Sequence, residues 1–311
     1  MQLAITRTPN TVEKCILHSV SHLFRYWVKR GRNLLFWAVP QDAIFDYDFT
    51  VLEQGKPYSG NLKFGIDYQV FFSQPYEPQN AQILTTIATC LAQFRRSVHF
   101  IDVGANVGFT SNLMLGKVDS IHSFEPHPKI FQSLLAKWKN YADHTWQIHP
   151  FGLGAQEIEL AYYEPASHNT GTGSFVAGAS WNQNIPIALP IRKGDQVLTE
   201  LEVSEVALIK IDVEGFEPFV LQGLSETLKR DRPVILMELS TLTDQILKEH
   251  NLSLQALLYE DAIAVAIHPQ AHGKFQLEVQ DFSQLESRHQ DILILPAEQA
   301  KVILEQFESL R

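Results

Sequence analysis

The residues most informative about chemistry are two acids on either side of a glycine-rich turn. From residue 100 the sequence reads FIDVGANVGFT, which is an apolar run, then Asp102, then a turn with Gly104 and Gly108. These glycines allow backbone angles and close approaches that a Cβ atom would block. Glu125 follows about twenty residues later and ends another apolar run, where a carboxylate can accept hydrogen bonds from both hydroxyls of a ribose. The pattern predicts a binding site for an adenosine-containing cofactor.

The details of the turn favour one such cofactor. A nicotinamide dinucleotide needs the spacing G-x-G-x-x-G, and the third glycine is missing here. No G-K-[ST] follows the turn, which excludes a P-loop. The acidic Asp102 disfavours a pyrophosphate and suits the cationic amino-acid end of S-adenosylmethionine. We therefore predict S-adenosylmethionine, with a nicotinamide cofactor or a turn without ligand as alternatives. The predicted contacts in and after the turn are Asp102, Gly104, Ala105, Asn106, Gly108, Phe109, Thr110, Glu125 and Pro126.

A second group of charged residues lies in and after a later apolar run. Lys210, Asp212 and Glu214 alternate there, where charged side chains are costly unless they are paired or functional. Asp212 is the first choice for a general base that takes a proton from a substrate hydroxyl, or for a group that orients that hydroxyl, and it is also expected to contact the cofactor. Lys210 would hold Asp212 ionised and in position, or lower the pKa of the substrate hydroxyl. Glu214 would have the same catalytic role as Asp212 or bind the substrate, and Glu238 would bind a substrate hydroxyl. The alternatives are a Lys–Asp pair that only orders the loop and, for Glu238, a solvated acid.

Three weaker patterns add candidate ligands. Glu77 precedes a predicted helix and would meet the cofactor's amino group, although an acid at a helix start also has a purely structural use. Gly152 and Leu153 follow a predicted strand, where the backbone would approach the adenine, and a plain turn explains them nearly as well. Thr172 and Ser174 belong to the polar loop NTGTGS, which suits a substrate site or simple loop punctuation.

The histidines and cysteines give no pattern typical of a metal site. The histidines match no H-x-x-E-H or similar ligand spacing. Cys15 and Cys90 lie far apart and form no C-x-x-C pair, so they make neither a disulfide framework nor a thiolate site. We expect two free, partly buried thiols, no required metal ion and a cytoplasmic location.

From residue 79 onwards, apolar runs alternate with helical patterns, which predicts a parallel sheet covered by helices on both faces. Right-handed crossovers then bring the carboxyl ends of the strands to one edge, where ligands bind. The candidate residues follow strands in this alternation and should meet at that edge. The predicted strands are residues 98–103, 120–124, 146–151, 157–163, 206–213, 233–239, 262–267 and 291–295, and the predicted helices are residues 79–96, 106–115, 129–139 and 218–229.

Residues 1–78 form an N-terminal extension in this scheme, and residues 79–311 form the cofactor-binding domain. Residues 1–40 are predicted to be helical and carry six basic residues and one acid, with aromatic residues among them. Such a segment either contacts an anionic membrane surface or packs on the body of the protein with its charges in water. Residues 41–73 contain an alternating stretch and several glycines, which predicts a small antiparallel β region.

Charge and hydropathy exclude several other classes of protein. The net charge of −10 makes the chain a poor partner for nucleic acid, because phosphates repel it. We therefore expect no nucleic-acid partner. No apolar run approaches the ~20 residues of a transmembrane helix. The beginning of the sequence lacks the pattern of a signal peptide.

Three blocks of this sequence, in this order, resemble the FkbM family of S-adenosylmethionine-dependent methyltransferases. They are DVGANVG from Asp102, FEP from Phe124 and KIDVEGFE from Lys210. The resemblance implies an α/β class I methyltransferase fold, which is Rossmann-like, with strand order 3-2-1-4-5-7-6 and an antiparallel seventh strand. It also implies O-methylation of a hydroxyl on a sugar, a glycolipid or a secondary metabolite. The alternatives are an NAD-linked oxidoreductase, which would lack its third glycine and a Y-x-x-x-K pair, and a scaffold that binds the cofactor without catalysis.

Overall fold

The computed structural model describes most of the chain. The described residues are 7–27, 45–53, 55–72, 76–139, 141, 145–163, 173, 175, 186–270, 274–285 and 290–308. Within them the strands are β1 (Asp48–Glu53), β2 (Lys56–Asn61), β3 (His99–Val103), β4 (Ser120–Phe124), β5 (Trp146–His149), β6 (Gly152–Gly154), β7 (Ile158–Tyr162), β8 (Ile187–Lys193), β9 (Val206–Ile211), β10 (Val234–Leu239), β11 (Ala262–Pro269), β12 (Phe275–Gln280) and β13 (Gln290–Pro296).

The α-helices of the described residues alternate with these strands through most of the chain. They are α1 (Thr11–His22), α2 (Gly65–Phe72), α3 (Pro78–Phe94), α4 (Phe109–Met114), α5 (Pro128–Trp138), α6 (Gly194–Glu200), α7 (Glu217–Gly223), α8 (Ser225–Asp231), α9 (Thr241–Glu249) and α10 (Ala297–Glu308).

An eight-stranded, mostly parallel sheet forms the centre of the molecule, as the alternation predicts. Its order is β12-β11-β13-β10-β9-β3-β4-β5. The strands from β10 to β5 are parallel to one another, whereas β13 runs antiparallel to β10 and to β11. The edge strand β12 pairs antiparallel with β11 and was not predicted.

Alternating side chains of the central strands fill two separate cores. Phe100 and Leu208 pack into one hydrophobic cluster, while their neighbours Ile101 and Ile209 pack into the other. All six residues of β9 are buried. A strand with both faces covered reads as a continuous apolar run, which explains why these strands were readily predicted.

Two predicted elements differ from those in the structure. The strand predicted over residues 146–151 ends at His149 as β5, and β6 begins after it at Gly152, in a separate three-stranded sheet with β8 and β7. The helix predicted over residues 218–229 is α7 and α8. They are separated at Leu224, just after Gly223, whose Cβ would lie 1.9 Å from the backbone oxygen of Gly154. Both differences lie next to this second sheet, because α7 packs on β6.

The N-terminal segment folds against the sheet domain. The helix α1 begins with a capping box between Asn10 and Glu13 and continues as a π-helical turn over Leu23–Trp27. The strands β1 and β2 form the predicted antiparallel hairpin. Residues 65–72 are the helix α2, so the prediction that the β region extends to residue 73 is wrong there. This helix packs its aromatic side chains into a cluster with the hairpin, which the alternation rule does not anticipate.

The boundary between extension and domain stays a prediction. Its two sides are joined by buried contacts, among them the ion pair between Lys137 of α5 and Asp67 of α2. The predicted helix over residues 28–40 lies outside the described residues. Cys15 is exposed, Cys90 is buried, and both are free thiols. Among the described residues, no helix is long and apolar enough to cross a membrane.

Candidate functional site

The glycine turn after β3 lies directly against the end of β9. Gly104 has φ +79°, and a Cβ built on it would lie 2.0 Å from the backbone oxygen of Asp212. Gly108 has φ +78°, and its Cβ would lie 2.5 Å from Cδ1 of Leu134. Both positions therefore require glycine for conformation and for space. The close approach brings the cofactor turn and the second group of candidate residues into one site.

Glu125, at the end of β4, holds the turn in place. Its two carboxylate oxygens accept hydrogen bonds from the backbone N–H of Asn106 at 3.0 Å and of His127 at 2.8 Å. Burial raises the pKa of this carboxyl to about 7. A carboxylate has about four acceptor positions, so about two remain for the hydroxyls of a ribose. The neighbouring Pro126 is partly exposed.

Asp102 is completely buried behind the turn. Its Oδ2 accepts a hydrogen bond from Ser111 at 2.5 Å, and its Oδ1 has no hydrogen-bond partner among the described residues. Burial raises the pKa of this carboxyl, and the nearby ammonium of Lys210 opposes that shift. A buried acceptor without a partner is unusual in folded proteins and is what a cationic ligand group would satisfy.

Some residues of the glycine turn and of the first turn of α4 are exposed to solvent, and others are buried. Gly104, Asn106 and Thr110 are partly exposed. Ala105 is buried, and Phe109 packs its ring against the rings of Tyr58 and Tyr76. Phe109 therefore packs in the aromatic cluster of α2 and the hairpin, and its side chain is not available to a ligand.

Lys210 and Asp212 form an ion pair at the carboxyl end of β9. The Nζ of Lys210 donates to Oδ2 of Asp212 at 2.7 Å. Burial alone would lower the pKa of Lys210, but the carboxylates of Asp212 and Asp102 outweigh it, and the pKa is raised. The lysine therefore stays protonated at neutral pH and cannot serve as the base.

Further acids surround this pair. Carboxylate oxygens of Asp212, Glu214 and Glu238 all lie within 4.8 Å of one another. Burial and the neighbouring charge of Asp212 raise the pKa of Glu214 to about 8 and that of Glu238 to about 9. At neutral pH these two groups are mainly protonated and can donate hydrogen bonds. Such a trio could also hold a metal ion, and the absence of a required metal stays a prediction.

A buried glutamate that the sequence analysis did not single out shapes the loop after β9. Glu217 is fully buried, and its Oε1 accepts hydrogen bonds from the backbone N–H of Val213 at 3.2 Å and of Gly215 at 3.1 Å. Its Oε2 accepts from the hydroxyl of Thr243 at 2.8 Å. Glu214 lies inside this turn with φ 52°. Glu217 therefore fixes the backbone that carries Glu214.

Asp291 is a second residue that the sequence analysis missed. It pairs across the strands with Glu238, and Asn80 of α3 donates to its Oδ2 at 2.9 Å. Burial raises its pKa to about 6. Asn80 also donates to Oε2 of Glu77 at 3.3 Å, and Glu77 makes no side-chain capping bond to its own helix. An acid at the start of an antiparallel strand reaches the edge where parallel strands end, and that rule could have identified Asp291.

The remaining candidates are placed less favourably. Gly152 lies where a Cβ would come within 2.7 Å of Ile191, so close packing between β6 and β8 already explains this glycine. The side chain of Leu153 is in the second core, which leaves only its backbone for a ligand. Thr172 and Ser174 lie outside the described residues.

Comparison with a known family decides among the alternatives for the cofactor. A model described as the methyltransferase FkbM domain matches residues 102–262, which is more than half of the chain. The chain belongs to the FkbM methyltransferase family. It has the α/β, Rossmann-like fold that the resemblance implies, and its cofactor is S-adenosylmethionine. The orphan oxygen of Asp102, the spare acceptor positions of Glu125 and the partly exposed turn fit that cofactor.

Individual relatives are distant. The chain is similar to Methyltransferase 1 of Beauveria bassiana (strain ARSEF 2860), with 27% identity over 154 residues that cover 44% of this chain and 62% of the relative. It is also similar to the hexuronic acid methyltransferase AglP of Haloferax volcanii, with 26% identity over 135 residues, 43% of this chain and 53% of the relative. In both cases the match spans less than two thirds of the relative.

Among solved structures, the chain is similar to methyltransferase FkbM from Methylobacillus flagellatus KT. The identity is 15%, the match covers 68% of this chain and 47% of that chain, and the TM-score is 0.43.

Proposed function

We propose that this protein transfers a methyl group to a hydroxyl oxygen of a sugar, a glycolipid or a secondary metabolite. The observation that carries the proposal is the ion pair of Lys210 and Asp212 beside the glycine turn. The backbone of Asp212 touches Gly104, and its side chain is 38% exposed. A carboxylate in this position would be close to the bound donor and open to an acceptor.

The chain has two tasks in such a reaction. S-adenosylmethionine, when bound, supplies a methyl group on a positively charged sulfur, which is already activated for transfer. The protein aligns the acceptor oxygen with that methyl group and removes the hydroxyl proton. Asp212 accepts the proton at Oδ1, since Lys210 already donates to Oδ2. A base placed in this way contributes about 10²–10⁴-fold to the rate.

The acids around the pair favour a hydroxyl-rich acceptor. Glu214 and Glu238, with pKa values raised to about 8 and about 9, keep their protons at neutral pH and donate hydrogen bonds to acceptor oxygens. Several such contacts suit a sugar ring. The name of the relative from Haloferax volcanii, a hexuronic acid methyltransferase, also supports a sugar acceptor for this chain.

The proposal is tested by separating cofactor binding from turnover. We expect calorimetry to detect S-adenosylhomocysteine binding and Glu125→Ala to weaken it by about tenfold or more, because two hydroxyl contacts are lost. Asp212→Asn should bind S-adenosylhomocysteine nearly as well as the parent and lose about 10²-fold or more of turnover. Asp281→Asn, in an exposed turn away from the site, is the matched control.

The acceptor is sought with isotopically labelled methyl donor, a panel of unmethylated saccharides and extracts of the source cell. A carboxyl ester would release the label as methanol in mild alkali. An ether keeps the label, as N-methyl and C-methyl products also do, so mass spectrometry of the product identifies the methylated oxygen. Parental turnover in Asp212→Asn would make Asp212 structural. Binding of the cofactor without transfer to any acceptor would support the scaffold alternative. Turnover in the presence of a chelator tests the prediction that no metal is required.

A further inference from the structure

The helix α1 and its π-helical turn expose a row of apolar side chains. Val12, Ile16, Leu23 and Trp27 recur at three- to four-residue multiples and therefore lie on one side of the helix. Trp27 is 74% exposed and Val12 is 67% exposed, and Tyr26 lies beside them, also exposed. We call these five residues the α1 stripe. Exposed apolar side chains are ordinary when scattered, whereas a continuous row indicates an interaction surface.

The other side of the same helix is already used. Phe24 is buried, and the hydroxyl of Ser21 donates to the backbone oxygen of Phe71 in α2. The guanidinium of Arg25 is buried and donates to the backbone oxygens of Val70 and Leu52. These contacts fix the rotation of the helix about its axis. Because the opposite side of the helix packs on α2 and the hairpin, the α1 stripe faces solvent.

The sequence around the α1 stripe is basic, which favours an anionic partner. Residues 1–40 carry six basic residues and one acid, although the whole chain has a net charge of −10. Of the six, Arg25 is buried and Arg7 pairs with Glu13, so these two do not add to the attraction for a partner. Lys29, Arg30 and Arg32 follow Trp27 within five residues of the sequence. A neutral apolar partner would gain nothing from these charges, whereas an anionic lipid surface attracts each basic residue by about 1 kcal/mol.

We propose that the α1 stripe docks on an anionic lipid bilayer, with the helix lying in the plane of the interface. The apolar side chains enter the boundary between headgroups and acyl chains, as in other amphipathic helices that bind membranes without crossing them. The acidic remainder of the chain is repelled by the same surface, which orients the molecule with α1 towards the lipid. This proposal does not depend on the identity of the methyl acceptor.

The test is co-sedimentation of the full chain with vesicles. One set contains phosphatidylcholine alone, and the other contains about one part phosphatidylglycerol to three parts phosphatidylcholine. We expect binding to the anionic vesicles that weakens by about tenfold or more between about 0.05 M and about 0.5 M NaCl, as screening requires. Neutral vesicles should bind much less protein.

Two double variants locate the surface. Ile16→Ser with Trp27→Ser should reduce binding to anionic vesicles by about tenfold or more, because both apolar side chains would no longer enter the lipid. The matched control is Val279→Ser with Val302→Ser, which replaces two other exposed apolar residues and should bind like the parent. Val12→Ser with Leu23→Ser provides a second stripe variant if the first one fails to fold.

Three results would overturn the proposal. The first is a parent chain that ignores anionic vesicles. The second is an equal loss of binding in the control variant. The third is a parent chain that is dimeric by light scattering and becomes monomeric in the stripe variant, which would make the α1 stripe a contact between two copies.

Discussion

Two buried lysines of this protein each pair with an aspartate, and their surroundings differ. Lys137 and Asp67 join α5 to α2 at 2.9 Å, with side chains that are 2% and 0% exposed. Lys210 and Asp212 lie at the end of β9 at 2.7 Å, with side chains that are 8% and 38% exposed. The lysines are similarly buried, so the difference between the pairs lies in the acid.

The residues around the two pairs differ in the same way, because the acid of the first pair is enclosed by hydrogen-bond donors. The hydroxyl of Tyr58 donates to Oδ1 of Asp67 at 2.6 Å, and the backbone N–H of Asn61 donates to its Oδ2 at 2.9 Å. Burial lowers the pKa of Lys137, and Asp67 only partly offsets this. At the other site several acids act on one lysine, and its pKa is raised. We call Lys137–Asp67 the sealed pair, because both side chains are buried, and Lys210–Asp212 the open pair, because its acid is partly exposed. We expect the sealed pair to matter for the stability of the fold, whereas the acid of the open pair can act on a ligand.

The strongest test removes the charge of the sealed acid. Asp67→Asn leaves the ammonium of Lys137 buried without its counter-ion, so we expect the free energy of unfolding to fall by about 3–5 kcal/mol. Thermal denaturation should show a lower Tm. Turnover of the remaining folded protein should be close to that of the parent at low temperature, because the site at β9 is unchanged.

The matched control for that variant is Asp244→Asn, which removes the acid of the exposed pair with Lys248 at 2.7 Å. Exposed pairs contribute about 1 kcal/mol at most, so its Tm should stay near the parental value. Equal Tm values for Asp67→Asn and the control would contradict the structural role of the sealed pair.

The second test removes the lysine of the open pair. Lys210→Met should reduce turnover by about 10²-fold, because a base that is no longer held in place loses much of its contribution. Parental turnover together with a lowered Tm would instead make this pair structural, like that of Lys137.

The same contrast explains how much could be predicted from sequence. The open pair interrupts an otherwise apolar run, so the sequence alone indicates Lys210 and Asp212 as candidate site residues. The sealed pair joins residues 67 and 137, which are far apart in sequence, and no local period connects them. Asp291 is missed for a related reason, because its neighbours Glu238 and Asn80 lie on another strand and on a helix.

The central sheet was predictable because strands with both faces buried are continuous apolar runs. The helix α2 was not predictable, because the glycines and the alternation before it suggest further β structure. The position of its aromatic side chains is explained only by their packing on the hairpin. Local pattern thus indicates the centre of this fold and the residues at its strand ends. It says little about contacts between the N-terminal segment and the sheet domain.

The smallest predicted effect concerns the acids around the open pair. The pKa of Glu238 is raised from 4.5 to about 9, so between these values the folded chain holds a proton that the unfolded chain has lost. Stability must therefore fall as the pH rises through this range. Glu238→Gln cannot ionise, and its Tm relative to the parent should rise between pH 5 and pH 9. We expect about 1 kcal/mol at pH 9, because partial exposure of Glu238 reduces the effect.

Glu305→Gln is the control for this substitution, since its carboxylate is exposed beside Lys301 and exposed pairs contribute little to stability. Its Tm should stay near the parental value. If Glu238→Gln behaves in the same way, the acid is solvated and the open pair has one fewer proton donor for an acceptor oxygen. A pH-dependent gain restricted to Glu238→Gln would place a protonated carboxyl beside the open pair, where it can donate a hydrogen bond to one acceptor oxygen while another hydroxyl loses its proton.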